Sequence, residues 1–283
     1  MAIESRDLRF DFPADTPSRW LPAEPELSHL MTAFMAALPY LEPYFIHNLR
    51  EALPLLHDVA LQQDVRGFIQ QEARHAQQHR SWNQLIAARV PGFATLERAL
   101  KTRLARSKQQ HSLPFRLAYT AGYEALTYQL VCLVLRNRAR WFVGADPNVL
   151  AMLTWHAAEE VEHKSVAHDV FDAVHGGYAL RCWGYLNAVG RSGRDIFVMF
   201  HHLLRADGLA GDPASRKRLL ALRLTLLTEL LPALASYLRP GYRPEQHADP
   251  AVARGWLTGY DAGLQLQRVD LAGLDAMADP AAA

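Results

Sequence analysis

Cysteine is scarce in this chain. Cys132 and Cys182 are the two present in 283 residues, far apart and not in a CxxC pair. A disulfide framework is therefore excluded, and a reducing, cytoplasmic setting is expected. Charge of one sign is also lacking. Thirty Lys and Arg stand against 29 Asp and Glu, a net charge of +1, so nothing marks an electrostatic nucleic-acid binder. The first twenty residues, MAIESRDLRFDFPADTPSRW, mix both signs and contain no apolar h-region, so no signal peptide is expected. No apolar run long enough to span a membrane is free of charge. The closest, residues 219–238, carries Arg223 and Glu229 and reads as a core or surface-docking helix. There is no GxSxG elbow, no Walker loop and no GxGxxG turn, which removes the usual routes to serine hydrolysis and nucleotide binding. Sustained alternation of β-branched residues is absent too, so no sheet is expected.

What is present is helix. Ala, Leu, Gln, Arg and Glu, all good helix formers, dominate the chain. Residues 1–24, with Pro13, Pro17 and Pro22, read as an extended arm laid on the surface. A first long helix is predicted over 25–56, interrupted by Pro39 and Pro43. A second covers about 60–89, and a short one fills 93–108. A third long helix starts at Ser112 as N-cap and ends near Trp141. A fourth starts at Pro147 and stops before Gly176-Gly177. Two more helices, about 179–206 and 214–238, complete a domain over 25–240, with Ser215 as the cap of the latter. Residues 241–283 read as an irregular tail with one short helix near 249–262, and AMADPAAA at 276–283 reads as disordered.

The chemistry lies in repeated ExxH patterns. On a helix, residues i and i+3 share a face, so a Glu and a His can hold one ion together. Glu72-xx-His75 is one instance and Glu160-xx-His163 another. Chance supplies on the order of one such match in a chain with this many His and Glu, and Glu26-xx-His29 at a helix start reads as that accident. Two further acids stand alone among apolar residues: Glu42 in PYLEPYFI and Glu124 in YTAGYEALTYQLV. Glu124 shares its helical stripe with Leu117, Ala121, Tyr128 and Val131, so it faces the core. A buried carboxylate without a partner is costly, and a metal between helices removes that cost. The order Glu, ExxH, Glu, ExxH on four successive long helices, at separations of 30, 52 and 36 residues, is that of dinuclear carboxylate bundles. The expected fold is thus all-α, a ferritin-like four-helix bundle with additional C-terminal helices.

The motifs FIQQEARHAQQH and WHAAEEVEHKSVAHDVF resemble those of a bacterial family described as predicted metal-dependent hydrolases, ferritin-like in fold; the resemblance covers about residues 25–240. A second resemblance concerns the metal site. Di-iron arylamine N-oxygenases carry a histidine one turn before the second ExxH, and His156, Glu160 and His163 match that spacing. The resemblance implies seven ligands: Glu42, Glu72, His75, Glu124, His156, Glu160 and His163. Pro43 departs from the pattern and is expected to kink the first helix at Glu42. His79, one turn past His75, reads equally as an eighth ligand, an outer partner or an ordinary histidine. Glu159 competes with Glu160, which the ExxH spacing favours. Glu162 points elsewhere, His168 and Asp169 fall off the ligand stripe, and His201 and His202 read as ordinary.

Carboxylate and imidazole donors suit Fe, Mn or Zn. Two Fe ions are expected, with Mn or Zn as alternatives. The leading reading is a di-iron oxygenase or oxidase that activates dioxygen to oxidise a small-molecule substrate, with an external electron donor. The alternative is a hydrolase using a metal-bound hydroxide. A ferroxidase or a non-catalytic helical protein is the third reading. No nucleic acid and no membrane span are expected, and a homodimer is admitted.

Overall fold

The computed structural model describes residues 3–278. It is all-α, with no strand among the described residues. The helices are α1 (Pro25–Met35), α2 (Leu38–Ala52), α3 (Val59–Arg89), α4 (Phe93–Gln110), α5 (Leu113–Arg136), α6 (Arg138–Trp141), α7 (Pro147–His163), α8 (Val166–Val174), α9 (Tyr178–Ala206), α10 (Pro213–Thr225), α11 (Leu231–Ser236), α12 (Ala251–Asp261) and α13 (Leu271–Ala278). A five-residue π-helical turn, Leu226–Leu230, joins α10 to α11.

Helix α5 is the axis of the molecule. Every residue from Phe115 to Gln129 is buried. A helix apolar on all sides must be surrounded, and α2, α7, α8 and α9 all pack on this one. Two glycines set how closely α9 approaches. A Cβ on Gly122 would meet the Tyr185 Cα at 2.6 Å, and one on Gly184 would meet the backbone carbon of Ala118 at 2.5 Å. Helix α3 packs against α2, α7 and α8, so α2, α3, α5 and α7 enclose one interior. Aspartates begin three of the helices. Asp58 accepts from the Ala60 and Leu61 N–H groups, Asp146 from Asn148 and Val149, and Asp212 from Ser215.

Several local expectations change. The break in the first long helix falls at Ala36–Ala37 rather than at Pro43, and α2 runs on through Pro43. Pro39 sits in the first turn, where a missing N–H costs nothing. The fourth long helix stops at His163 and resumes at Val166. Its turn is tied down by Lys164, whose ammonium donates to Asp249 at 2.5 Å and to the His247 carbonyl at 3.0 Å. Ser215 is not a cap but a buried first-turn residue. In the 276–283 stretch, Ala276–Ala278 belong to helix α13; residues 279–283 lie outside the described residues. Residues 3–24 contain no helix, yet Arg6, Leu8, Phe10, Trp20 and Leu21 are buried.

Among the described residues, one segment, Pro213–Ser236, is long and apolar enough to cross a membrane by length and composition, and it is largely exposed. It packs on α1 and α5.

Candidate metal centre

Helical spacing aims the side chains at one interior point. Glu72, His75 and His79 lie on one stripe of α3 at i, i+3 and i+7, and His156, Glu160 and His163 on one stripe of α7 at i, i+4 and i+7. Glu42 comes from α2 and Glu124 from α5. All eight are buried. Their donor atoms form four overlapping groups with members within 4.8 Å of one another: Glu42, His79 and His156; His75, His156 and Glu160; Glu72, Glu124, Glu160 and His163; Glu42, Glu72 and His75. The structure therefore brings together all seven residues of the expected set and adds His79. Glu159 is in none of these groups.

The centre of the cluster is crowded with acids. The His163 Nε2 lies 3.2 Å from Glu72 Oε1, 3.3 Å from Glu124 Oε2 and 3.4 Å from Glu160 Oε2. His156 Nε2 lies 2.9 Å from Glu160 Oε1. Both oxygens of Glu42 and of Glu72 have no hydrogen-bond partner, nor do Glu124 Oε2, Glu160 Oε2, His156 Nε2 and His163 Nε2. Buried polar atoms are almost always paired, so this many orphans at one point mark a missing central partner.

The charges respond to one another as well. Burial, then Glu160 and Glu124, push the Glu42 carboxyl well above the usual range. Burial, then Glu124 and Glu160, do the same to Glu72. Burial and Glu160 push Glu124 up to about 7. For Glu160, burial raises the carboxyl but is outweighed by His163 and His156, which hold it below the usual range. Burial depresses His163, yet Glu160 and Glu124 outweigh it and hold the imidazole well above its ordinary value. Burial and His156 lower both His75 and His79. One imidazole cation thus serves several acids, and Glu42, Glu72 and Glu124 resist ionising for want of a further positive charge.

An outer ring of partners orients the inner groups. His163 Nδ1 donates to Gln71 Oε1 at 2.8 Å, and Gln71 Nε2 donates to Glu162 at 2.5 Å and to the Glu4 carbonyl at 2.9 Å. His75 Nε2 lies 2.9 Å from Glu159 Oε2, and its ring stacks on His156 at 4.1 Å. His79 Nε2 lies 2.7 Å from His156 Nδ1. Arg6, from the N-terminal arm, donates through both guanidinium nitrogens to Glu162, at 2.8 and 3.0 Å, and reaches Glu159 Oε1 at 3.4 Å. Its backbone N–H also donates to that oxygen.

Sequence reasoning missed Arg6 and Gln71. The signal for Arg6 was present: in RDLRFDF, Arg6, Leu8 and Phe10 are buried and Asp7, Arg9 and Asp11 exposed, the period of two of an extended segment docked along one edge. Gln71 sits one residue before Glu72 in a glutamine-rich stretch, and nothing local distinguishes it from Gln70. The other histidines lie elsewhere. Glu26 pairs with Arg218 and His29 with Asp207, and neither Glu26 nor His29 is in any of the four groups. His202 bonds the Pro91 carbonyl, and His168 faces Tyr237 and Tyr242.

No curated protein and no solved structure matches the chain. A family model does: that of the predicted metal-dependent hydrolases matches residues 4–248, which take in the arm and every residue of the cluster. The chain belongs to the predicted metal-dependent hydrolase family.

Proposed function

We propose that the chain is a metal-dependent hydrolase with a dinuclear centre, and that Glu42, Glu72, His75, Glu124, His156, Glu160 and His163 hold the two ions. The observation that carries this reading is the set of buried carboxylate oxygens without partners that converge with imidazole nitrogens. A carboxylate and imidazole donor set fits Zn, Mn or Fe. Divalent ions held there supply Lewis-acid activation of water and polarisation of a scissile carbonyl or phosphoryl group.

The protein's own part is to fix which nitrogen of each ring is free. Gln71 Oε1 accepts from His163 Nδ1, which leaves Nε2 as the lone pair facing the acids. Glu159 accepts from His75 Nε2, which leaves the unpartnered Nδ1 as the donor atom of that ring. For His156 to offer Nε2, its Nδ1 must carry the proton and donate to His79 Nε2. His79 is then an outer partner rather than an eighth ligand, and Glu159 likewise orients a ligand without being one. Glu42 keeps its place because α2 passes Pro43 without breaking.

A second reading is that the centre is di-iron and oxidises its substrate with dioxygen. The pairing of His156 with the Glu160-xx-His163 motif on one α7 stripe favours it. Metal analysis of the purified protein, followed by assays on p-nitrophenyl esters with and without added Zn or Mn, tests the first reading. Metal-dependent turnover is the expected result. Two irons per chain, and a transient absorbance when the reduced protein meets oxygen, would favour the second reading. No bound metal would sink both.

A further inference from the structure

A cavity of about 310 Å³ adjoins the cluster. Its walls come from α1, α3, α5, α7, α9 and the α10–α11 segment, with Leu30, Leu130, Val134, Leu222, Leu226 and Leu230 among them. His79, Thr127 and His156 are the polar side chains in the wall. Thr127 already donates to the Tyr123 carbonyl at 3.2 Å, so the two histidines form the polar end. The cavity also reaches Gly193, an exposed residue of α9. It therefore runs from the ligand cluster to the outside, between α9 and α10–α11.

The two helices that flank this mouth carry apolar side chains outward. On α9 these are Trp183, Leu186 and Phe197, with Gly190 and Gly193 completing the same stripe at spacings of three and four. On the other side are Leu220, Leu224, Leu227 and Leu231, again at helical spacing; Trp183 is 59% and Leu227 58% exposed. A Cβ at Gly190 or Gly193 would meet nothing within 4 Å, so the glycines leave the stripe open. The charge around it is one-sided. Residues 178–239 carry nine Lys and Arg against four Asp and Glu, in a chain whose net charge is +1. Of the four acids, Asp195 pairs with Arg103, Asp207 with Arg19 and Asp212 lies beside Arg218, while Glu229 accepts from Asn137. Arg194, Arg205, Arg216, Lys217 and Arg223 are exposed. An apolar stripe with basic flanks is the pattern of a helix that lies in a membrane interface. The segment Pro213–Ser236 has the apolarity of a span, but Arg223 and Glu229 within it and its packing on α1 and α5 place it along the surface.

We propose that the α9 and α10–α11 face lies on an anionic lipid bilayer, and that the cavity takes one acyl or alkyl chain from it, with the chain's functional head directed at the metal cluster. This rests on the proposed metal centre. It names the substrate class as a single-chain amphiphile or lipid.

Two measurements on the full-length, metal-loaded protein test it. Co-sedimentation with vesicles of phosphatidylcholine alone and with one quarter phosphatidylglycerol should show binding to the anionic vesicles, weakened by salt and released by alkaline carbonate. Leu227→Glu and Leu231→Glu should each weaken it at least tenfold. Displacement of a dansyl-labelled undecanoic acid by saturated fatty acids of six to sixteen carbons should show Kd falling about fourfold per added methylene until the cavity is full. Gly193→Leu fills the mouth without a clash, and should weaken the longest chains at least tenfold with helicity and metal content unchanged. Gly190→Leu, which does not line the cavity, should leave the series intact. Protein indifferent to vesicles and to chain length overturns the proposal. So does a dimer that Leu227→Glu dissolves without any vesicle binding, and so does resistance to carbonate, which would make the segment a true span. Failure of the metal reading has a separate signature: no bound metal, with lipid binding intact.

Discussion

Glu159 and Glu160 are neighbours in the chain, equally buried, and in opposite circumstances. Glu159 meets Arg6 and His75, so each oxygen has a partner from the protein. Glu160, rotated about a quarter-turn along α7, meets His156 and His163 but shares His163 with Glu72 and Glu124, and with those two and Glu42 it carries every orphaned carboxylate oxygen among the described residues. The first region is closed electrostatically by the chain itself. The second is left for something else to close. Buried acid alone is therefore a poor sign of a metal site; buried acids that outnumber the protein cations beside them are a much better one.

The largest effect should come from removing that missing partner. Chelation should lower the midpoint of thermal unfolding by about 10–20 °C, read by calorimetry. A midpoint indifferent to chelator would mean that shared protons, not metal, hold the four acids together. Next comes the region the chain closes itself. Arg6→Ala should cost ~1–3 kcal/mol in urea unfolding, because it takes the side-chain donor away from the buried Glu159 and from Glu162, while bound metal stays the same. Loss of metal in that variant would erase the distinction between the two regions.

The third prediction reverses the sign. Glu124→Gln should lose at least one ion per chain, yet the metal-free variant should be more stable than metal-free wild type by ~2 kcal/mol at pH 8. The reason is a carboxyl raised to about 7 by burial and Glu160. A folded-state value above the unfolded one gives stability that is present at acid pH and lost as pH rises through 7. Metal-free wild type should thus lose stability between pH 5 and 8, at up to about 1.4 kcal/mol per unit for each proton held. The same scan of the loaded protein should be nearly flat. The smallest effect belongs to Glu159→Gln, which should change stability by less than ~1 kcal/mol at pH 6 and leave metal content alone. Burial already raises that carboxyl to about 7, so the neutral form is the one replaced. A fall in metal content there would mean that holding metal needs Glu159 ionised, as a ligand or as the acceptor that leaves His75 Nδ1 free.

The helices and the convergence of the cluster were legible because both depend on periodicity. Spacings of three and four put Glu72 with His75 and His156 with Glu160 and His163 whatever the rest of the chain does. The stripe of Leu117, Ala121, Tyr128 and Val131 on α5 similarly foretells that Glu124 is buried. What could not be read was whatever depends on a partner distant in sequence. The bond between Gln71 and His163, and the capture of Glu159 by Arg6, are properties of packing. Local rules also overreached at Pro43, where a kink was expected. Pro43 is the sixth residue of α2 and lies inside it, yet the helix runs on, and the break sits instead at Ala36–Ala37. The interruption at Lys164–Ser165 carries no Gly or Pro to announce it. Its anchor is Asp249, 85 residues on.

The arm has a consequence for the order of assembly. Arg6 meets Glu159 across 153 residues of chain, and the Gly67 backbone is bare enough for Ile3 to lie directly on it. Closing so long a loop is entropically slow, and during synthesis it cannot begin until α7 exists. Helices α2, α3 and α5 can already be in place while Arg6 still waits for its partner. The Arg6–Glu159 contact is thus among the last to form, even though other residues of the arm already have partners on α3, and the end of the cluster beneath it stays open until then.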